Sequence, residues 1–340
     1  MVVHSGAAVP CGGKGQTENM ARVLVTGPTG ASGQYILERL MTTDHDVNVL
    51  ALPDSIHRMN YRDRIRIVPG HLHDPVALAE ALDGVEIVFH AAITGLHKAV
   101  SPDRMIEINT SGTAALVAAA GGRIRRFVLV SSFVVLAPHR SPAVWPVRDD
   151  ALRMPNGNPQ QTAFAESLIA AEDIVFDAAD RRQFEHCTLR PTHIAGRAGG
   201  TIDSIVTGLL RGTTDPEAER RTWGVMHWAH GSDLARAALL VAGHEETGNQ
   251  CFTVAGDQPV TIHDIQAILW DLLNIGRDGN MFAETAALHN LGLAMFDSAR
   301  LKALGWVPQM TMRDCLAECL GRLEFHSSAS LRMPPHMLDS

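Results

Sequence analysis

The sequence is poor in cysteine, in positive charge and in long apolar runs. Its five cysteines are scattered along 340 residues, which is not the pattern of a disulfide framework and favours a reducing cytoplasm. Cys315 and Cys319 share a helical face without a nearby histidine, so no metal site is expected. The net charge is −8 without a Lys/Arg block, which argues against nucleic acid and anionic membranes as partners. No apolar run approaches the ~18 residues of a membrane-spanning helix.

Apolar strand patterns alternate with helical patterns over the first 195 residues. Buried strands are predicted at 22–26, 47–52, 65–68, 85–92, 125–132 and 186–191, and the predicted helices include 110–120 and 162–180. Strands that alternate with helices form parallel sheets with right-handed crossovers. The sequence therefore predicts an α/β protein with a doubly wound parallel sheet, the Rossmann fold.

Three regions are expected along the chain. Residues 1–20 are predicted to be a flexible tail, because they are polar and Gly-rich and lack the apolar core of a signal peptide. Residues 21–195 are predicted to form a dinucleotide-binding Rossmann domain. Residues 196–330 are expected to form mostly a smaller C-terminal substrate-binding lobe over the carboxyl edge of the sheet, with some segments returning to the Rossmann domain.

A glycine-rich turn, TGPTGASG at 26–33, joins the first predicted strand to the first predicted helix. Gly27 permits the tight turn, Gly30 lets the backbone approach a pyrophosphate, and Gly33 lets the helix pack against the strand. The helix N-terminus offers free N–H groups and the positive end of its dipole to the phosphates. The predicted dinucleotide site consists of Thr26, Gly27, Thr29, Gly30, Ala31, Ser32 and Gly33.

The TGxxGxxG spacing resembles the extended branch of the short-chain dehydrogenase/reductase superfamily. Matching motifs follow as HAA at 90–92, NTSGT at 109–113, VSS at 130–132, LRP at 189–191, HGSDLARA at 230–237 and DSARLKALGWVP at 297–308. The resemblance implies a nicotinamide cofactor. The further cofactor-lining residues that it implies are Leu72, Ala91, Ala92, Ile93, Ser131 and Pro191. His71 stands where the branch usually has an Asp against the adenine.

The choice of nicotinamide cofactor depends on the end of the second predicted strand. An acidic residue there would bond the ribose 2′-OH and repel a 2′-phosphate. Counted from Gly33, this position falls on Ala51, which is small and neutral. His57 and Arg58 lie just beyond it and could reach a 2′-phosphate. Asp54 is the counter-evidence. The sequence therefore favours NADP(H), with NAD(H) as the alternative.

The acid/base pair of the superfamily is missing from this chain. The resemblance places the proton-donating Tyr and its partner Lys at Phe164 and Leu168, and neither of these side chains can transfer a proton. The chain has two tyrosines, Tyr35 and Tyr61, both in the cofactor half. Ser132, which the resemblance places against the substrate carbonyl, is present.

Three explanations of this gap stay open. First, His193 follows the LRP motif where relatives place a substrate-contacting Asn, and an imidazole there could hold or protonate an oxyanion. His227 and His230 are weaker candidates for the same role. Second, the substrate could carry its own acid, as a ketone flanked by a phenol does, in a dry pocket that positions it. Third, the chain could bind the cofactor without chemistry, as a redox sensor.

An apolar pocket suits the second explanation, because Phe and Leu at the positions of the superfamily's Tyr and Lys would fit a flat aromatic substrate. The predicted pocket residues are Phe133, Phe164, Leu168, Trp223 and Met226, each of which could also be ordinary core. We predict NADPH-dependent reduction of an aromatic polyketide-type ketone in antibiotic biosynthesis, with Ser132 and His193 as catalytic residues. This pattern is similar to the atypical ketoreductases of angucyclinone pathways.

Two other functions remain alternatives, the redox sensor and a sugar-nucleotide epimerase or dehydratase with a displaced base. The epimerase and dehydratase reactions also depend on the Tyr–Lys pair, which makes them less favoured. The expected partner is a small aromatic ketone, and the expected assembly is a monomer or a homodimer.

Overall fold

The computed structural model describes residues 20–95, 100–136, 146–155, 159–200, 202–203, 205–207, 226–274 and 295–326. The predicted tail up to residue 19 and the predicted pocket residue Trp223 lie outside the described residues. Within them, no helix is both long enough and apolar enough to cross a membrane.

Seven parallel strands form the main sheet and confirm the predicted doubly wound fold. They are β1 Arg22–Thr26, β2 Asp46–Ala51, β3 Arg66–Pro69, β4 Ile87–His90, β5 Arg126–Val130, β6 Glu185–Pro191 and β9 Gln250–Val254. Their order is β3-β2-β1-β4-β5-β6-β9. The order reverses between β1 and β4, which is the point where sheets of this kind bind their ligands.

Eight α-helices with both ends defined by the structure accompany these strands. They are α1 Gly33–Leu40, α2 Pro75–Ala81, α3 Pro102–Ala120, α4 Pro159–Asp180, α5 Gly231–Gly243, α6 Ile262–Leu273, α7 Ala299–Ala303 and α8 Met312–His326. Short 3-10 helices lie at Pro53–Arg58, Phe133–Val135 and Glu245–Thr247. Helix α3 begins well before the predicted residue 110. The reason is Ser101, whose hydroxyl accepts the Arg104 N–H, followed by a proline that suits the first helical position.

Two apolar layers cover the two faces of the sheet. On one face, Ile36 of α1 and Leu234 of α5 pack against Val25 of β1. On the other face, Leu78 of α2, together with residues of α3 and α4, packs against Leu24. Since α5 and β9 come from the chain beyond residue 196, part of that segment belongs to the sheet layer.

A third apolar cluster forms a smaller lobe. It joins Met226, Trp228, Ile265, Leu269 and Leu316, which belong to residues 226–228 and to α6 and α8. Two short strands that the sequence analysis did not identify, β7 His193–Ala195 and β8 Trp228–His230, pair in parallel beneath this lobe. They connect the end of β6 to the lobe.

Candidate active site

The glycine turn has the geometry that its sequence predicts. Gly27 has φ +69°, and a Cβ there would lie 2.6 Å from the Ala91 carbonyl carbon. A Cβ on Gly33 would lie 2.0 Å from the Gly27 oxygen, so neither position tolerates a side chain. A Cβ on Gly30 would meet only the Gly27 oxygen, at 3.4 Å, which the fold could absorb. The space over Gly30 is therefore not needed for packing and fits a ligand that approaches the backbone closely.

The helix that follows the turn leaves its N-terminus open. Ser32 is the N-cap of α1, and its side chain makes no capping hydrogen bond, while the first turn carries no acidic residue. The Ala91 N–H donates to the Thr26 carbonyl over 3.2 Å, which holds 91–93 against the turn. A phosphate would find the positive end of the helix dipole unscreened here.

A buried hydrogen-bond chain fixes the ends of β1 and β4. The Thr113 hydroxyl donates to the Asn109 carbonyl over 2.7 Å, so its oxygen accepts a hydrogen bond from the Nε2–H of His90, 3.0 Å away. Nδ1 of His90 then accepts from the Thr26 hydroxyl at 2.7 Å. Burial lowers the pKa of His90 to about 4, which keeps the imidazole neutral in this chain. Of these residues, the sequence analysis assigned only Thr26 to the cofactor site, and it placed His90, Asn109 and Thr113 in motifs.

Asn109 anchors the loop after β4 to α4. Its Oδ1 accepts the Thr94 N–H at 2.8 Å, and its Nδ2 donates to the Thr94 carbonyl at 3.1 Å and to Ser167 Oγ at 2.9 Å. Leu72 packs on the same helix, because a Cβ on Gly112 would come within 2.9 Å of its Cδ1. Helix α3 thus positions the loop after β3 and the loop after β4, which lie at the carboxyl edge of the sheet.

The end of β2 has no carboxylate at the expected ribose position. Ala51 closes the strand and is buried, and the 3-10 helix Pro53–Arg58 follows directly. The Gly70 N–H donates to the Ala51 carbonyl over 2.9 Å, which places His71 beside this strand end. Arg58 is exposed and forms no ion pair within the described ranges.

The two serines that follow β5 differ in their hydrogen bonding. Ser131 is buried, and its hydroxyl has no hydrogen-bond partner among the described residues, which is unusual for a native interior. Ser132 Oγ accepts the Val134 N–H at 3.4 Å as the cap of the 3-10 helix, so its own proton is left to donate. Two hydroxyls with a proton left to donate thus lie at the end of β5, beside β6, which ends at Pro191. An orphaned hydroxyl at this edge fits a polar cofactor.

His193 lies in an apolar setting beside these serines. Its imidazole meets the Phe133 ring edge to face, with centroids 4.8 Å apart and planes at 69°. Phe133 in turn meets Phe296 at 5.0 Å. Burial, with a smaller contribution from His227, lowers the pKa of His193 to about 4. His193 is therefore a neutral imidazole at physiological pH.

Other buried histidines use their ring nitrogens within the protein. His227 holds the Gly256 carbonyl with Nε2 at 2.7 Å and the Phe296 N–H with Nδ1 at 2.9 Å. His230 caps α5 through Ser232 and reaches Glu318 at 3.1 Å. Neither ring has a nitrogen to spare, whereas the imidazole of His193 makes no hydrogen bond within the part of the chain that the structure describes.

Phe164 and Leu168 belong to one apolar cluster on α4. Leu168 is 1% exposed, and Phe164 is half-buried. Ile93 and Phe133 pack against the same cluster, so the structure brings together residues that the sequence analysis had assigned to cofactor and substrate. Met226 lies elsewhere, in the lobe cluster, where it is 6% exposed.

A buried ion pair joins β6 to α4 next to this site, and the sequence analysis did not predict it. Arg190 of β6 forms two bonds with Glu172 of α4, at 2.8 and 2.7 Å, and donates to the Asp149 carbonyl at 2.9 Å. Arg153 reaches the same carboxylate at 3.3 Å. Such bidentate pairs fix the relative orientation of the two side chains. This pair ties α4 to β6, the strand that ends two residues before His193. Two charged residues in otherwise apolar segments, the Arg of LRP and Glu172, are the sequence signal that could have predicted this pair.

The fold, the glycine turn and the open helix N-terminus together fit a Rossmann-type dinucleotide-binding protein. The NAD dependent epimerase/dehydratase family matches residues 23–255, which is more than half of the chain. The chain belongs to this family and is an NAD(P)-dependent oxidoreductase.

Known proteins agree with this assignment. The chain is 26% identical over 262 residues to the 3 beta-hydroxysteroid dehydrogenase/Delta 5-->4-isomerase of Mycobacterium tuberculosis, covering 73% of this chain and 68% of that protein. It is 26% identical over 299 residues to the 4-hydroxy-2-methyl-3-oxo-4-farnesyl-3,4-dihydroquinoline-1-oxide ketoreductase of Stigmatella aurantiaca, covering 83% and 84%. Its fold resembles that of the Bordetella bronchiseptica enzyme WbmG in complex with NAD, with a TM-score of 0.71, 17% identity, and coverage of 92% and 96%.

Proposed function

We propose that this protein is an NADPH-dependent ketoreductase that reduces a ketone on a fused aromatic ring system. The observation that carries the proposal is the neutral imidazole of His193, which lies against Phe133 beside Ser132 without a hydrogen bond of its own in the described chain. A neutral donor next to a hydroxyl donor suits the oxygen of a carbonyl that gains negative charge.

The missing tyrosine agrees with a substrate that supplies its own proton. When bound, NADPH supplies the hydride for the carbonyl carbon. Ser132 and His193 donate hydrogen bonds to the carbonyl oxygen, and a phenol beside the ketone transfers its proton to that oxygen and regains one from water. Phe164 and Phe133 exclude water from one side of the site. The protein's task is then orientation and electrostatics.

The apolar cluster supports a flat substrate. The half-buried rings of Phe133 and Phe164 lie at the edge where Ser132 lies, and the buried ring of Phe296 packs against Phe133. Two relatives are named for ketone or hydroxyl chemistry on fused rings, a steroid dehydrogenase and a quinoline-oxide ketoreductase. The gap at Phe164 and Leu168 also resembles the atypical ketoreductases of angucyclinone biosynthesis, such as that of simocyclinone.

The proposed preference for NADPH is supported by the charges at the end of β2. Ala51 offers no carboxylate to repel a 2′-phosphate, and the exposed guanidinium of Arg58 has no ion-pair partner within the described chain. Asp54, in the first turn of the same 3-10 helix, is the group that would favour NADH. Isothermal titration calorimetry with NADPH and NADH tests this preference, and tighter binding of NADH would refute it.

The proposed reaction is tested by following NADPH oxidation with a panel of ketones. The panel contains hydroxytetralones, a steroid ketone and a sugar-nucleotide ketone. We expect turnover of the hydroxytetralones. If the protein binds NADPH but oxidises it with none of the panel, the ketoreductase proposal fails and a cofactor-binding sensor takes its place.

A further inference from the structure

His71 has a tautomer that the backbone determines. The His73 N–H donates to Nδ1 of His71 over 3.2 Å, so this nitrogen is an acceptor and carries no proton. In a neutral imidazole the proton then stands on Nε2. His71 therefore presents an N–H donor to a ligand, and its one acceptor nitrogen is already used.

The segment that fixes this tautomer is itself anchored. Nε2 of His73 lies 2.8 Å from the Ser111 hydroxyl, which ties the segment to α3. Leu72 packs against Gly112 of the same helix. The backbone N–H of His73 is thus held in place from two sides, and with it the donor direction of His71.

His71 stands on the adenosine side of the sheet. The pyrophosphate turn follows β1, and the reactive end, with Ser132 and His193, follows β5 and β6. A dinucleotide held at the turn extends in two directions, so its other half lies over the ends of β2 and β3. The hydrogen bond from Gly70 to Ala51 places His71 at that corner.

We propose that His71 offers an N–H donor to the purine base of the dinucleotide. The site then binds dinucleotides with a 6-oxopurine as readily as those with adenine. The 6-amino group of adenine is itself a donor, so it cannot accept the His71 N–H. The 6-oxo group of hypoxanthine is an acceptor and can receive that proton. An aspartate at the same position would reverse this preference, because a carboxylate only accepts.

The inference rests on the proposed cofactor site and is tested by binding, which needs no substrate. Isothermal titration calorimetry on the full chain measures the dissociation constants of NADPH and of its hypoxanthine analogue. For the wild type we expect the analogue to bind at least as tightly as NADPH. In His71→Asp we expect the ratio of the two constants to shift toward adenine by roughly fivefold, the effect of one exposed hydrogen bond.

Two further variants control the test. His73→Ala keeps the backbone N–H that fixes the tautomer but removes the anchor to Ser111, so a shift smaller than that of His71→Asp is expected. His71→Asn can present either a donor or an acceptor and is expected to fall between the wild type and His71→Asp, which keeps the test sound if the Asp variant does not fold. Equal ratios in the wild type and both His71 variants overturn the inference. Failure of every dinucleotide to bind overturns the proposed function instead.

Discussion

The imidazole of His193 and the ring of Phe133 meet edge to face, with their centroids 4.8 Å apart. Phe133 follows β5 and His193 follows β6, so this contact joins the ends of two adjacent strands at the ligand-binding edge. The ring contact encloses the imidazole in apolar surface and disfavours its charged form. It also places His193 against the residue that directly follows Ser132.

Replacement of His193 is expected to slow catalysis without weakening cofactor binding. His193→Ala removes one donor to the developing oxyanion, and we expect kcat/KM for a phenolic ketone to fall about 100-fold. His193→Asn keeps an N–H donor and should retain activity within about 10-fold of the wild type. Steady-state kinetics together with NADPH titration check both. Equal losses in the two variants would show that the imidazole acts only through packing.

The pH dependence distinguishes a neutral donor from a cationic acid. Burial lowers the pKa of His193 to about 4, so the neutral form is fully populated above pH 6. We expect kcat/KM to show no loss as the pH rises through 6.5, the ordinary value for histidine. An imidazolium acid would lose activity there, because its proton would be gone. A decline near pH 6.5 that disappears in His193→Asn would contradict the assignment.

The three glycines of the turn should separate folding from cofactor binding. Gly33→Ala places a Cβ 2.0 Å from a backbone oxygen and is expected to lower the free energy of unfolding. Gly30→Ala meets only an oxygen at 3.4 Å, so the fold should be nearly unaffected while the affinity for NADPH falls at least about 10-fold. Urea unfolding and calorimetric titration measure the two effects. Unchanged NADPH affinity in Gly30→Ala would argue against close approach of the pyrophosphate.

Much of the fold was accessible from the sequence because it depends on short, regular patterns. Apolar runs predict the strands of the sheet. The glycine turn predicts the junction between β1 and α1. The start of α3 was missed although Ser101 and Pro102 carry a cap signal, because the polar residues that follow mask the helical period. Strands β7 and β8 have three residues each, too few for a periodic pattern.

The candidate site was only partly accessible, since its chemistry depends on contacts between distant residues. The sequence pointed to His193, His227 and His230 with no means of telling how each is bonded. The distinction comes from partners such as Gly256 and Glu318, which no local motif reveals. Met226 was proposed from its residue type, and its place in the lobe cluster follows from tertiary packing.

Restoration of the missing lysine should cost stability. Leu168 is 1% exposed within an apolar cluster, so Leu168→Lys buries an ammonium group without a carboxylate partner among its cluster neighbours. We expect the free energy of unfolding to fall by roughly 3–5 kcal/mol. Leu168→Met conserves volume and should cost less than about 1.5 kcal/mol. Urea unfolding of both variants provides the comparison, and a Lys variant as stable as the Met variant would mean that this position opens to water.

The central claim is that the substrate, and not a protein tyrosine, supplies the proton. The most direct measurement compares kcat/KM for a hydroxytetralone whose phenol lies beside the ketone with that for its methyl ether, using NADPH and the wild-type protein. Because general acid catalysis contributes about 100-fold or more, we predict that the methyl ether is reduced at least about 100-fold more slowly. Equal reduction of the two ketones would contradict the account and place the proton donor in the protein.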